Sequence, residues 1–321
     1  MNANTVKSMI IGHAIGDALG VPVEFTSRDG LERHPVKSMM GYGTYDVPAG
    51  AWSDDTSMTL CLLESLGRLG KVDYNDVMQN FLKWMRKSEF TPTDHIFDIG
   101  VTTSEALLNF ENGINPLSCG GEDEHSNGNG SLMRIAPIAL YLYAKSGNNL
   151  TEEDLKVTHN LSKLTHAHPK SQMGCGIYVF VAVEILAGKK LNEAIKAGVE
   201  KSHNFYGSQS EFAAELDIYG RIWDIKKLAK LKDCDIKSTG YVVYSLEAAL
   251  WCLWTTDDYA ECVLKAVNLG GDTDTIGAIA GGLAGLYYGI DNIPVDWRKT
   301  LIRYEVIEKM CEAFAEKIIT P

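Results

Sequence analysis

The chain has 321 residues, of which 45% are hydrophobic and 22% are charged, and its formal net charge is −12. This length suffices for one large domain or two small ones with a substantial core, and the composition is that of a soluble globular protein. The acidic charge disfavours nucleic acid or an anionic lipid surface as a partner.

The chain shows no signal for secretion, membrane insertion or disulfide stabilisation. Its first twenty residues lack the basic start and long apolar core of a signal peptide, and no stretch approaches the roughly 18 apolar residues that span a membrane. The seven cysteines are scattered and form no CxxC pair. We therefore expect a cytoplasmic protein, with each cysteine a small core residue rather than part of a disulfide or zinc knuckle.

The first predicted helix contains the stretch "IGHAIGDALG", in which Gly12, Gly16 and Gly20 recur every four residues. This spacing is consistent with close packing against another helix. Asp17 lies inside the helix, where it can act as a capping or internal hydrogen-bonding partner. Glu24 follows in the loop beyond, where a carboxylate is either a general base or an exposed side chain.

The next feature is "GAWSDDTSMTL", which places Asp54 and Asp55 side by side with Ser53 before them. An apolar helical stretch, "MTLCLLESLGRL", follows. Adjacent like charges beside an apolar helix are costly unless something neutralises them.

The middle of the chain combines helices with a long irregular segment. "DVMQNFLKWMRK" carries apolar residues at helical spacing on one face. Asp98 precedes a helix predicted to begin near Thr102, so its simplest role is that of an N-cap. The segment from Asn112 to Ser131 is rich in glycine. Its stretch "HSNGNGS" could approach a phosphate closely, although alone it favours an ordinary turn.

Most of the remaining segments also have helical length and helical end signals. β-branched residues between Ile177 and Val183 leave a short strand open, but no regular alternation of strands and helices is visible. In "LTHAHP", His168 favours a hydrogen bond within the loop. The whole pattern predicts an all-α protein, with residues 1–321 forming a single compact multi-helix domain.

A second acidic set occurs in "NLGGDTDTIGAIAGG", where Asp272 and Asp274 lie at the start of another apolar helix. Simple capping requires only one such residue. If the fold brings the two sets together, four carboxylates converge and require cations, and their all-oxygen character suits Mg²⁺, Mn²⁺ or Ca²⁺ rather than zinc. From spacing alone, a two-metal site and two separate helix caps both remain open.

Taken together, these motifs resemble the ADP-ribosylglycohydrolase family, in particular its dinitrogenase reductase-activating type. The matching stretches follow the family order and cover nearly the whole chain. They are "GDALGVPVEF", "GAWSDDTSM", "FDIGVTT", "GNGSLMRIAP", "LTHAHP", "GYVVYSLEAALW" and "GGDTDTIGAIAGGLAG". The paired "SDDT" and "GGDTDT" signatures are the specific ones.

The resemblance implies a compact all-α fold that holds two Mg²⁺ ions, or Mn²⁺ in some members. By residue matching, the metal ligands are Ser53, Asp54, Asp55, Asp272, Asp274 and Thr275. It also implies that the protein removes ADP-ribose from a modified side chain by hydrolysing the bond at the anomeric carbon of the distal ribose. The products would include free ADP-ribose, and the partner would be an ADP-ribosylated protein.

The same matching implies the substrate contacts. Asp98 and Gly100 would border the ribose, and Ser126, Asn127, Gly128, Asn129 and Gly130 would approach the diphosphate. His166 would line the ligand, and Tyr241 the adenosine end. The metals would activate water with Asp55 among their ligands, while Asp98 or Glu24 transfers a proton. Some relatives have an aromatic residue at the position of Asn127, so nucleoside contacts differ there.

Three functions follow as hypotheses. The leading one is hydrolysis of ADP-ribosylarginine. The second is hydrolysis of another ADP-ribose conjugate, either serine-linked or a small metabolite. The third is a binding or immunity protein that blocks a partner ADP-ribosyltransferase by docking, which the two intact acidic sets argue against as a sole function.

Overall fold

The computed structural model describes residues 1–319, which form an all-α fold, as predicted. The helices are α1 (Ala3–Gly20), α2 (Arg28–Arg33), α3 (Asp54–Leu69), α4 (Tyr74–Lys87), α5 (Val101–Glu111), α6 (Ala136–Ser146), α7 (Glu152–Lys163), α8 (Pro169–Leu186), α9 (Leu191–Gly207), α10 (Gly220–Trp223), α11 (Ile225–Leu228), α12 (Val242–Trp254), α13 (Tyr259–Val267), α14 (Thr273–Tyr288), α15 (Val295–Thr300) and α16 (Tyr304–Ile318). Short 3-10 turns lie at Val21–Val23, Gly43–Tyr45, Pro116–Ser118, Ala213–Tyr219, Asp233–Asp235 and Ile290–Asn292. Within residues 1–319, β-structure is limited to two isolated bridges, and the segment 177–183 belongs to α8 rather than to a strand.

The centre of the fold is the contact between α1 and α14, and the glycine spacing in α1 predicted such a contact. A Cβ atom at Gly16 would lie 2.0 Å from the carbonyl oxygen of Gly277, and one at Gly20 would lie 2.3 Å from the backbone nitrogen of Asp274. Only glycine permits backbones to approach this closely. The contact therefore sets the end of α1, and the loop after it, directly against the acidic start of α14.

The hydrophobic core surrounds this helix pair and contains most of the cysteines. All seven are free and six of them are buried, but Cys234 is exposed, so the prediction that each cysteine is a core residue is wrong at this position. Among residues 1–319, no helix combines the length and the apolar character needed to cross a membrane. The irregular segment before α6 is long, as predicted, and contains only one short helical turn, at Pro116–Ser118.

Candidate active site

The start of α3 is held in place by Asp17 of α1. The Asp17 carboxylate accepts hydrogen bonds from the backbone N–H of Ser53 at 2.9 Å and from that of Thr56 at 3.0 Å, and it accepts a further one from the Thr56 hydroxyl at 2.6 Å. The Ser53 side chain caps the helix by accepting from the N–H of Asp55 at 3.3 Å. Asp17 is thus a capping partner, as the sequence indicated, and it orients the first turn that carries Asp54 and Asp55.

The two acidic sets meet in space. The Thr275 hydroxyl donates a hydrogen bond to Oδ2 of Asp55 at 3.2 Å, across 220 positions of sequence. The Ser53 hydroxyl donates to the same oxygen at 3.2 Å. On the other side, Glu24, Asp272 and Asp274 place carboxylate oxygens within 4.8 Å of one another. The starts of α3 and α14 therefore bring their carboxylates to one place, as a shared site requires.

Burial makes this cluster electrostatically unfavourable. Burial, followed by the charges of neighbouring carboxylates, raises the pKa values of Asp54, Asp55 and Asp274 well above their usual range. Burial, and then the charge of Asp98, raises the pKa of Glu24 to about 8. Such shifts arise where like charges share a site without a counterion.

Two carboxylate oxygens in the cluster are suited to bind cations. Oδ1 of Asp55 and Oδ2 of Asp274 are buried and have no hydrogen-bonding partner among residues 1–319. Unsatisfied buried carboxylate oxygens are costly, and hard divalent cations bind such oxygens. The residues present therefore fit divalent cations, and separate helix caps do not account for them. Asp272, the residue before α14, makes no side-chain cap hydrogen bond.

Asp98 lies beside the cluster rather than at the start of α5. The helix begins at Val101 after Gly100, and no side chain caps it, so the N-cap interpretation of Asp98 is wrong. Burial and then the charge of Asp272 raise the pKa of the Asp98 carboxyl, which lines the same cleft as Asp54 and Asp272. Its φ of 54° is in the left-handed region, which aspartate tolerates better than most residues.

Tyr45 is a site residue that sequence reasoning missed. Its hydroxyl donates to Oε2 of Glu24 at 2.6 Å, and its ring lies 5.0 Å from that of Phe97. No local pattern around "GYGTYD" distinguishes this tyrosine from a surface residue. Only the packing of its 3-10 turn against Val21–Val23 brings it to the carboxylates.

A cleft of about 580 Å³ opens above the acidic cluster. Eleven of the predicted site residues line it: Glu24, Asp54, Asp55, Asp98, Gly100, Gly128, Asn129, Gly130, His166, Asp272 and Thr275. Ser53 and Asp274 precede the lining residues Asp54 and Thr275 in sequence but do not line the cleft themselves. The volume falls within the range of small-molecule sites. The acidic cluster forms one end of the cleft, and His166 with the glycine-rich loop forms another part of its wall.

The glycine-rich loop is tied to the acidic cluster through Asn129. The Asn129 amide donates to Oδ2 of Asp272 at 2.6 Å and to the Ser245 hydroxyl at 2.8 Å. Its backbone N–H donates to the carbonyl of Gly240 at 3.0 Å. Because both the side chain and the backbone of Asn129 anchor the loop, Gly128 and Gly130, which line the cleft, are held at a fixed distance from the carboxylates.

Three predicted substrate contacts lie next to the cleft without lining it. The Ser126 hydroxyl donates to Asp123 at 3.2 Å, and the Asn127 amide donates to the Glu124 carbonyl at 2.9 Å, so both side chains bond within their own loop. Tyr241 forms a β-bridge with Gly128 and packs its ring 4.9 Å from that of Tyr244. Their contacts with substrate stay predictions.

Comparison with known proteins gives a consistent result. The family model described as ADP-ribosylglycohydrolase matches residues 2–321. ADP-ribosylarginine hydrolase Tri1 of Serratia proteamaculans is 31% identical over 95% of this chain and 77% of its own length. ADP-ribosyl-[dinitrogen reductase] glycohydrolase of Rhodospirillum rubrum is 28% identical over 91% of this chain and 88% of its own. A solved structure titled "ADP-ribosylglycohydrolase-related protein complex" superposes with a TM-score of 0.76 at 29% identity, covering 98% of both chains.

Proposed function

The chain belongs to the ADP-ribosylglycohydrolase family, and from this premise we propose that it releases ADP-ribose from modified arginine side chains of proteins. The arginine linkage is supported by the names of two relatives, from Serratia proteamaculans and Pseudomonas putida, that are each 31% identical to this chain. The observation that carries the proposal is the hydrogen bond from Thr275 to Asp55, which joins the two acidic sets at one end of the cleft.

The proposed cofactor is a pair of Mg²⁺ ions, with Mn²⁺ as the alternative, held by the six residues named from the resemblance. When bound, such cations neutralise the carboxylates, hold ribose hydroxyl groups and lower the pKa of water. The unpartnered oxygens of Asp55 and Asp274 support this assignment, as does the absence of sulfur ligands from the set.

The proton-transfer role suits Glu24 better than Asp98. Burial and the charge of Asp98 raise the pKa of Glu24, which favours the protonated form that a general acid requires. Tyr45 donates to one Glu24 oxygen and leaves the other for this proton. As water attacks the anomeric carbon and the carbon–nitrogen bond breaks, Glu24 gives its proton to the departing guanidine nitrogen, and Asp98 takes one from the water.

The glycine-rich loop would meet the diphosphate. Gly128 and Gly130 line the cleft without side chains, which lets ligand oxygens approach the backbone. Because these contacts use neutral groups, they are compatible with the chain's net charge of −12.

Activity is tested with peptides carrying arginine-, serine- and aspartate-linked ADP-ribose, each assayed with Mg²⁺ and with chelator. We expect free ADP-ribose from the arginine-linked peptide only with Mg²⁺, and loss of turnover in Asp272→Asn. The exposed Asp296→Asn is the matched control for this charge removal and should act as wild type. Release from the serine-linked peptide alone would contradict the arginine assignment.

Metal binding is tested separately from turnover by thermal unfolding. Ligand at a hundredfold excess over its Kd stabilises the folded state by about 2.7 kcal/mol, which raises the Tm of a chain this long by about 4 °C. We expect this rise for wild type with Mg²⁺ and its loss in Asp274→Asn. An equal rise in both proteins would contradict the metal assignment.

A further inference from the structure

Arg134 is a buried cation behind the glycine-rich loop, and it has no carboxylate partner among residues 1–319. Its guanidinium donates to the carbonyls of Gly130 at 2.5 Å and Leu161 at 3.1 Å, and to the Thr165 hydroxyl at 2.8 Å. It also lies 4.9 Å over the ring of Phe81. A buried charge without an opposite charge is costly, so these hydrogen bonds must stabilise the guanidinium.

The Thr165 hydroxyl connects Arg134 to His166. It is fully buried and has two partners in the described chain, Nη1 of Arg134 at 2.8 Å and Nδ1 of His166 at 2.7 Å. A guanidinium can only donate, so the hydroxyl oxygen accepts from Arg134. The single hydroxyl hydrogen then has only Nδ1 of His166 to bond.

This arrangement determines which nitrogen of His166 carries the proton. If Nδ1 were protonated, the Thr165 hydroxyl hydrogen would be buried without an acceptor, which is unfavourable. Burial and the neighbouring Arg134 charge lower the pKa of His166 to about 3, so the ring is neutral near pH 7. A neutral ring with an accepting Nδ1 has its proton on Nε2.

We propose that Arg134 and Thr165 are positioning residues that fix His166 with its proton on Nε2, as a neutral donor to an anionic ligand oxygen in the cleft. The ring lines the cleft, and Nε2 has no partner within residues 1–319 and is not sealed from solvent. A Cβ at Gly130 would lie 2.7 Å from Cε1 of the His166 ring, so a larger residue at this position would clash with the ring. The identity of that oxygen as diphosphate rests on the proposed function.

The tautomer is measured directly by ¹⁵N NMR of histidine-labelled full-length protein, with His166 assigned from its loss in His166→Gln. We expect wild type to show a protonated Nε2 and an unprotonated Nδ1 at neutral pH. Thr165→Val removes the donor and should yield a mixture of tautomers, whereas Thr165→Ser should retain the wild-type signal. A wild-type ring protonated on Nδ1, or on both nitrogens, would overturn the proposal.

The donor role is measured as binding of ADP-ribose by calorimetry in Mg²⁺. Loss of a well-oriented hydrogen bond to a charged oxygen should weaken the Kd of Thr165→Val about tenfold. Thr165→Ser should bind within about twofold of wild type. The control is Thr158→Val, which removes a buried hydroxyl that bonds only to a helix carbonyl at 3.2 Å.

The outcomes separate this inference from the proposed function. Unchanged affinity in Thr165→Val would overturn the donor role while leaving the proposed function intact. A wild-type chain that binds no ADP-ribose would contradict both the proposed function and the donor role, and the NMR signal would still decide the tautomer.

A second, independent observation concerns Phe25 at the acidic end of the cleft. Its ring lines the cleft and is 71% exposed, and its φ of 64° lies in the left-handed region that bulky residues avoid. Its N–H donates to the carbonyl of Gly271 at 2.7 Å, beside Asp272. A strained backbone that holds an exposed aromatic ring beside reactive groups suggests a ligand contact.

We propose that the Phe25 ring contacts the arginine guanidinium of the substrate. This inference rests on the proposed function, in which the bond to be cleaved lies at the acidic end of the cleft and the acceptor side chain leaves there. A guanidinium held over an aromatic face gains cation–π attraction, which a purely apolar side chain cannot supply.

The test compares Phe25→Leu, which keeps apolar bulk, with Phe25→Trp, which keeps an aromatic face. We expect Phe25→Leu to lower kcat/KM on ADP-ribosylarginine about fivefold, Phe25→Trp to retain it, and both to bind free ADP-ribose as wild type does. Tyr287→Ala is the control, because it removes an exposed ring near the far end of α14, about 20 Å from the start of that helix.

Two results would overturn the role of Phe25. One is full activity of Phe25→Leu on ADP-ribosylarginine, and the other is an equal loss of affinity for free ADP-ribose, which lacks the acceptor. A wild-type enzyme inactive on ADP-ribosylarginine would instead contradict the proposed function, and with it this contact.

Discussion

Replacing Asp17 by asparagine tests whether the acidic site depends on a carboxylate that never touches the cleft. Oδ2 of Asp17 accepts from the N–H and the hydroxyl of Thr56, and Oδ1 accepts from the N–H of Ser53 at 2.9 Å. An asparagine amide must put an N–H₂ group at one of these positions, facing a donor. The variant loses at least one charge-assisted hydrogen bond, worth about 1.5–3 kcal/mol, and the favourable charge at the start of α3.

We therefore expect Asp17→Asn to lower the free energy of unfolding by about 1 kcal/mol, because the desolvation that raises the pKa of Asp17 offsets part of the gain from its charge-assisted hydrogen bonds. Activity should fall further than stability alone explains, because Asp54 and Asp55 lie in the turn that Asp17 orients. A displacement of about 1 Å at such groups costs on the order of 100-fold in rate.

The assay is urea unfolding at pH 7.5, followed by kcat/KM on an ADP-ribosylarginine peptide under conditions where the variant is folded. Burial raises the pKa of Asp17 to about 6, so the wild-type carboxyl is ionised at this pH. Asp73→Asn is the matched control, since Asp73 caps α4 through one bond at 3.2 Å to the N–H of Asp76 and is more exposed.

Asparagine and aspartate are nearly equivalent at ordinary N-caps, so Asp73→Asn should change stability by less than about 0.5 kcal/mol. The reasoning about Asp17 is refuted if Asp17→Asn unfolds at the same urea concentration as this control. Wild-type kcat/KM in Asp17→Asn would refute the orienting role even if stability fell.

The remaining predictions concern packing, the junction of the two acidic sets and pH. Gly16→Ala places a Cβ 2.0 Å from the Gly277 oxygen, so we expect a loss of about 3 kcal/mol or more in urea unfolding, and a wild-type midpoint would contradict the close packing. Thr275→Val removes the donor to Asp55, so a calorimetric Mg²⁺ titration should show about tenfold weaker binding, while Thr275→Ser should bind as wild type. Burial lowers the pKa of His159 to about 3, so unfolding takes up a proton below about pH 6.5 and stability falls with acidification. Between pH 7 and pH 5, the free energy of unfolding of His159→Gln should therefore fall by about 2 kcal/mol less than that of wild type. Parallel plots of this free energy against pH would contradict the prediction.

Features that depend on local sequence were predictable. The glycine spacing of α1 indicated a close helix contact, and the two acidic sets indicated helix starts with more carboxylates than capping needs. Their meeting was a conditional expectation, because nothing in the spacing of Asp55 and Thr275 specifies how α3 and α14 pack. The family resemblance supplied that arrangement, and the hydrogen bond between these side chains confirms the proximity.

Features that depend on tertiary packing were not predictable. Tyr45 reaches Glu24 only because two 3-10 turns pack together, and Arg134, in the turn before α6, reaches Thr165 in the turn after α7. At Asp98, the local sequence gave a wrong prediction for the same reason. Its sequence position before α5 favoured a cap, but its backbone conformation directs it to the acidic cluster instead.

The buried titratable groups impose opposite pH dependences on the chain without bound cations. The pKa values of Asp55 and Asp274 are raised by burial and like charge, so these groups favour the folded state most at low pH and lose that contribution as pH rises. The pKa values of His159 and His166 are lowered by burial, so these groups favour the folded state at neutral pH and oppose it on acidification. At neutral pH these two histidines are uncharged, whereas the two carboxylates are buried with like charges around them. Divalent cations would neutralise the carboxylates without protons, so the condition that favours the proposed chemistry would also be one in which neither these carboxylates nor these histidines oppose folding.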